Sequence, residues 1–215
     1  MAGKQSFGTK DLTYVRYTGL EFYPYNSQLS HYVSSGNLRW SDFSGTGLEV
    51  PIHVPTGAII DYVELDACDS NATTDMSMSM LDCDPLGNTG CSNPTSLTTT
   101  GSTGCQVLSV SSLGYTVDNA NHAISIEVVD NAGDGSLLLS SVAVGYRLQV
   151  SPAPVTPTFA DVDGGSIYYQ FIEALSASGI TAGCDGVPNF CPDRPITRQE
   201  MAVFMAKALG LHFPN

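Results

Sequence analysis

The chain has 215 residues, enough for one large domain or for a medium and a small one, each with its own buried core. The formal net charge is −13, and between Arg39 and Arg147 there is no Lys or Arg but there are thirteen Asp and Glu. Such a surface repels phosphate, which argues against binding nucleic acid and against docking on anionic lipid.

The opening stretch, MAGKQSFGTK, is polar and lacks the apolar run of a signal peptide. Six cysteines, few lysines and abundant Thr, Ser and Gly nonetheless fit a secreted protein, so the expectation is a mature or trimmed extracellular chain. Residues 1–10 read as a loose arm, able to pair with a neighbouring subunit by strand addition. Residues 11–150 read as short strands. LTYVRYTGLEFYPY is aromatic and β-branched. Leu48, Val50, Ile52 and Val54 alternate along one face, and Pro55–Gly57 is a turn. AIIDYVELDACD is a strong strand. Met76, Met78 and Met80 alternate with polar residues, which predicts a buried strand face rather than a soft-metal site. HAISIEVVD and SSVAVGYRLQV alternate in the same way. Turn residues separate these runs at about 8–12 positions, the spacing of an all-β sandwich. Residues 87–104, nearly all Gly, Ser, Thr, Asn and Pro, read as one long loop, and 130–135 as another. Residues 151–157, SPAPVTP, read as a short stiff linker. No run approaches the roughly 18 apolar residues that span a bilayer, so no membrane insertion is expected.

The last stretch, 158–215, reads as two short helices joined by a loop rich in Gly and Cys. The first follows Tyr168, Phe171 or Ile172, and Leu175, and ends at Gly179. Thr197 and Glu200 form a capping box for the second, whose apolar positions are Met201, Phe204, Met205, Ala208 and Leu211. Several pieces of this stretch stand out together: Phe159-Ala160-Asp161-Val162, Ile172-Glu173-Ala174-Leu175, Gly179-Ile180, Phe190, Pro192 and Ile196-Thr197-Arg198-Gln199-Glu200-Met201. In this order and spacing they resemble an S-layer homology domain, the module many bacteria use to attach proteins to their surface. The Trp frequent near that family's first helix is here Tyr168 or Tyr169. Wall-anchoring members usually carry three such domains in tandem, and this chain has one. The resemblance implies that wall glycan is bound in grooves between neighbouring domains, with the Arg of a TRAE-like motif in contact; Arg198 occupies that position. Arg198 read without the resemblance is a helix-start Arg that packs or pairs with a nearby Asp. The whole chain also resembles a group of secreted bacterial proteins in which a sandwich runs into a single such domain. The stretches that carry this are Leu65 to Asp69, Tyr146 to Pro154 and Gly210 to Asn215.

The fold class expected is therefore mainly β: an antiparallel, jelly-roll-like sandwich over 11–150, then a small two-helix module over 158–215. Cys184 and Cys191 are expected to form a disulfide, because a zinc site would need a second ligand pair. The other four cysteines allow three pairings, and the local bonds Cys68–Cys83 and Cys91–Cys105 are preferred. The histidines His31, His53, His122 and His212 have no metal-ligand spacing, and no nucleophile elbow, acid pair or phosphate loop appears, so the chain is not expected to be an enzyme and no cofactor is expected. Asp130, Asn131 and Asp134 sit in a Gly-containing turn and are the candidate calcium ligands, without a full calcium loop. Asn71-Ala72-Thr73 is a formal glycosylation sequon in a polar loop. Two functions are weighed. The first is a non-enzymatic structural protein that assembles with itself, as a filament, layer or coat, on a bacterial cell surface. The second is a lectin-like protein that binds cell-wall polysaccharide or environmental glycan through exposed aromatics such as Tyr23, Tyr25, Tyr32 or Trp40.

Overall fold

Strict alternation is what gives the longest strands two faces, and in the computed structural model each such strand turns its apolar set inward. The structure describes residues 11–26, 30–34, 36–86, 90–101, 104–150, 152–184 and 188–211. They divide into two units, one up to Gln149 and one from Val150 onward.

The first unit holds eleven strands among the described residues: β1 (Thr13–Thr18), β2 (Tyr23–Pro24), β3 (His31–Val33), β4 (Arg39–Ser41), β5 (Thr46–Pro51), β6 (Ala58–Asp69), β7 (Met76–Cys83), β8 (Cys91–Thr98), β9 (Gly104–Thr116), β10 (Ala123–Asp130) and β11 (Leu137–Leu148). They form two antiparallel sheets. One runs β3-β4-β11-β6-β9, with β1 also paired to β11; the other runs β2-β5-β10-β7-β8. Short β1 and β4 lie along one edge of β11 in succession, β4 at Leu139 and β1 from Ser141 to Tyr146.

The core lies between the sheets. Ile60, Val63 and Leu65 of β6 and Leu137, Leu139, Val142 and Val144 of β11 are fully buried against Leu48, Ile126, Met78 and Met80 of the other sheet. The inward set of β6 changes phase between Ile60 and Val63, where the register with β9 shifts. A bulge inserts one residue, so the alternation resumes on the opposite parity and the face stays inward. The methionine strand is buried as the alternation predicts, Met76 at 1% and Met78 and Met80 at 0% exposure. Each such side chain taken out of water contributes about 1.5–3 kcal/mol.

Two expectations are corrected. Residues 87–104 are not one loop, because β8 occupies Cys91–Thr98 as an edge strand of the second sheet. Its Thr and Ser residues are β-competent, and an edge strand needs no continuous apolar face. The local disulfides Cys68–Cys83 and Cys91–Cys105 do not form. The bonds are Cys68–Cys105 and Cys83–Cys91. The reason is register: Cys68 stands directly opposite Cys105 across β6–β9, and Cys83 directly opposite Cys91 across β7–β8. Successive β6 and β7 belong to different sheets, which separates Cys68 from Cys83.

Two buried aspartates fasten the sheets to each other. Asp69, at the end of β6, accepts the Thr99 hydroxyl at 2.5 Å and the Asn71 N–H at 2.9 Å. The same Thr99 oxygen accepts the Met76 N–H that opens β7. Asp130, at the end of β10, accepts the N–H of Ser41 in β4 with one oxygen. Its other oxygen accepts Ala132 and Gly133 N–H in the following turn.

The second unit has two helices, α1 (Tyr169–Ala177) and α2 (Arg198–Ala208). Its small core is Phe159, Val162, Tyr169 and Ile172, with Ala153 and Phe190 packed on it. The Pro-rich run is tied to α1: the Tyr169 hydroxyl donates to Pro154 O at 2.6 Å and the Gln170 amide to Val150 O at 3.0 Å.

Candidate functional site

The C-terminal unit is where the sequence points to function. Thr158 opens it, and Glu173 of α1 holds it there. Glu173 is 4% exposed, and its two oxygens accept the Thr158 N–H at 2.9 Å and hydroxyl at 2.6 Å. The inward face of α1 is Tyr169, Ile172 and Glu173, one residue out of phase with the expected Tyr168. Tyr168 is the residue before the helix and stands 53% exposed.

Asp161 closes the module across its length. Its carboxylate accepts the Phe190 N–H at 2.8 Å and the Cys191 N–H at 2.7 Å. Those bonds, the one from Phe190 foremost and the one from Cys191 helping against partial desolvation, hold the carboxyl below its ordinary pKa. A depressed folded-state pKa means the bonds stabilise fully above the ordinary carboxylate range and are lost as pH falls through the folded value. The module is therefore expected to unfold more easily below about pH 4, and Asp161→Asn to flatten that dependence; circular dichroism melts from acid to neutral pH read it. A melting profile for Asp161→Asn as steep in acid as the parent's would remove this role. Cys184–Cys191 forms as expected and closes the loop above Asp161. Gly183, just before that loop, has φ +94°, and a Cβ there would run into Asn189 O.

The capping box is present: Thr197 accepts the Glu200 N–H at 3.1 Å, and Glu200 accepts the Thr197 N–H at 2.7 Å. Hydrogen bonds to the carboxylate from the Thr197 N–H first and the Thr197 side chain next, more than its ion pair with Arg194, hold the Glu200 carboxyl below its ordinary pKa. The apolar positions of α2 keep their helical spacing but are not buried. Among its apolar residues Phe204 and Ala206 are half-buried, whereas Met201, Val203 and Met205 are 45–54% exposed, and Leu209 and Leu211 beyond it 60–66%. The unit is too small for both helices to find core positions, and its Phe159 cluster is completed by α1 and the 190 loop.

Arg198 is the first residue of α2, is exposed, and has no ion pair among the described residues. Arg194 is the residue that pairs with Glu200. A cation at a helix N-terminus faces the positive end of the dipole, so Arg198 gains nothing there from the helix. Tyr168 lines a cleft of about 570 Å³ with Asp163, Phe171, Phe190, Pro192 and Asp193. Arg198 lines neither this cleft nor the adjoining groove that holds Arg194, Glu200 and Phe204.

Trp40 belongs to the sandwich. It stacks on Tyr32, its cross-strand partner, with ring centroids 4.6 Å apart, and Gly135 lies against its ring. Both oxygens of Asp130 are engaged by backbone N–H groups, and Asp134 accepts from the N–H and hydroxyl of Ser136. The Asn71 side chain is likewise occupied, accepting from Thr73 and Thr74 and donating to Ser136. No group of three or more His, Cys, Asp and Glu clusters as for a metal among the described residues. Sequence reasoning missed Glu173, Asp69 and Asp130 as buried anchors. Short-range turn chemistry explains Asp130 in part, but no sequence signal announces its bond to Ser41, 89 residues away.

Several solved structures share the sandwich shape. They include a GH26-CBM35 β-(1,4)-mannanase of Podospora anserina (13% identity, 70% of this chain and 32% of that one, TM-score 0.41). The CBM22-1 xylan-binding domain of Xyn10C from Paenibacillus barcinonensis is another (8%, 66% and 99%, TM-score 0.46). A third is the CBM36-1 domain of a xylanase from the hindgut metagenome of Trinervitermes trinervoides (10%, 66% and 100%, TM-score 0.39). The chain spans about a third of the mannanase. No curated protein matches the chain in sequence. Within the second unit, residues 158–202 match the S-layer homology domain, with Asp161, Glu173, Thr197 and Glu200 holding its fold together.

Proposed function

We propose that this is a non-catalytic extracellular protein that attaches to a bacterial cell surface and assembles there with further copies of itself through its C-terminal unit. Three disulfides and the S-layer homology match support the surface location. The observation that carries self-assembly is α2. An isolated eleven-residue helix is marginal in water, and this one has no fully buried residue. Met201, Met205 and Leu209, four residues apart, leave a row of apolar side chains in solvent where a second module would cover them. Arg198 and Tyr168 are the docking or glycan contacts of the module. Arg198 has the position that the family uses for wall polysaccharide, and it is exposed and without an ion pair among the described residues.

Light scattering over a concentration series tests assembly. The full chain is expected to associate, and Met201→Glu with Met205→Glu to return it to monomer while leaving the sandwich's melting unchanged. A chain that is monomeric at the highest concentration reached ends this reading. Arg198→Ala is expected to reduce retention on isolated cell-wall material without lowering the melting temperature.

A further inference from the structure

The outer face of the second sheet carries an arrangement that neither assembly nor the C-terminal module uses. Across it Tyr23, Glu49, Glu127, Ser79 and Ser96 stand in one register row, one residue from each of its five strands. Four strand spacings make that row about 19 Å long. At its β2 end Tyr23 and Tyr25 are 68% and 58% exposed and flank a hollow of about 220 Å³ floored by Glu49, Pro51 and Ser125.

The tyrosines are not loose surface residues. The Tyr25 ring lies on Gly47: a Cβ at that position would run into the ring, and would also come within 2.8 Å of the Glu127 carboxylate. Gly47 therefore seats ring and carboxylate side by side. Tyr25 N–H also donates to Gly47 O at 3.4 Å. Glu49 and Glu127 are direct cross-strand partners, a pairing of like charges that weakens a sheet. The Glu49 carboxylate accepts the Ser125 hydroxyl at 2.5 Å, whereas the Glu127 carboxylate accepts no hydrogen bond among the described residues. Burial, with Glu49 adding to it, raises the Glu127 carboxyl above its ordinary value.

An exposed, backbone-seated aromatic ring beside acceptor-only groups fits one ligand chemistry. The flat C–H face of a sugar stacks on the ring, and its hydroxyls donate to the carboxylates. The two glutamates repel uronate or phosphate, and the serines along the row leave a shallow track rather than a wall. We propose that Tyr23 and Tyr25, with Glu49 and Glu127, form a binding site on the sandwich for a neutral oligosaccharide.

Isothermal titration of the full chain with cellohexaose, xylohexaose and mannohexaose tests it, with polygalacturonate and glucosamine oligomers as charged controls. At least one neutral hexaose is expected to bind. Tyr25→Ala is expected to weaken that binding about tenfold or more, since losing a stacked ring and a hydrogen bond together amounts to one decade or above. Glu127→Gln is expected to weaken binding several-fold while raising the melting temperature, because it relieves the Glu49 repulsion; a merely structural Glu127 would not separate the two. Val107→Ser, at an exposed position of β9 in the other sheet, is expected to leave hexaose affinity unchanged, and retention on cell-wall material is read separately, so this site stands or falls apart from the module's attachment. No heat with any neutral hexaose overturns the proposal, and so does binding that survives Tyr25→Ala or is confined to the charged polymers.

Discussion

Replacing Cys68 and Cys105 together by Ser is expected to lower the stability of the sandwich by about 4 kcal/mol. The bond spans 37 residues, and in the chain-entropy account the stabilisation grows with the loop it closes in the unfolded chain. Cys83–Cys91 spans only 8 residues, so removing it is expected to cost about 2–3 kcal/mol. The order of the two effects distinguishes the register-determined pairing from the local one, in which each double variant would take one cysteine from both bonds and the two costs would be equal. Urea unfolding of the two double variants measures it, and peptide mapping under non-reducing conditions reads the pairing directly. Equal costs, or a mapped Cys68–Cys83 peptide, would sink the pairing described.

Asp130→Ala is expected to cost about 3 kcal/mol in the same assay. Asp130 is 1% exposed, and its loss strands three N–H donors at once, those of Ser41, Ala132 and Gly133. Hydrogen bonds to a charged group are worth more than neutral ones, and buried donors left without a partner carry their full desolvation cost. Asp130→Asn keeps an acceptor and is expected to cost about half as much, since its amide can serve one side of the site but not both. The loss arises in metal-free buffer, because the partners are all protein N–H groups. Indifference of the sandwich to Asp130→Ala would mean that the bond between β10 and β4 contributes nothing to holding the sheets together.

Much of the architecture is legible from local pattern, for a physical reason that can be read at single residues. Leu48, Val50, Met76, Met78, Met80, Val142 and Val144 alternate because a strand has period two and one of its faces must leave water, so strand and core follow without tertiary knowledge. Thr197 and Glu200 cap α2 by contacts three residues apart, which sequence spacing states outright. Cys184 and Cys191 are near enough in sequence to bond in nearly any loop. The motif order over residues 158–202 likewise carries its family without coordinates.

What sequence alone left open depends on which strands become neighbours, and no local rule supplies that. Cys68 met Cys105 rather than Cys83 because β6 pairs with β9 while β7 crosses to the other sheet. Asp69 and Asp130 are ordinary turn residues by composition and become anchors only once the ends of two sheets are brought together. The second helix shows the same limit from the other side. Met201, Met205 and Leu211 have the spacing of a buried face, yet the C-terminal unit completes its core with Phe159, Val162, Tyr169 and Ile172 and leaves that face in solvent. Periodicity states that a face is apolar; only the packed structure decides whether this chain or another one covers it. Tyr25 is the sharpest case. Its type says aromatic, but its seat on Gly47 beside Glu127 comes from the pairing of β2, β5 and β10, segments that lie far apart in the chain.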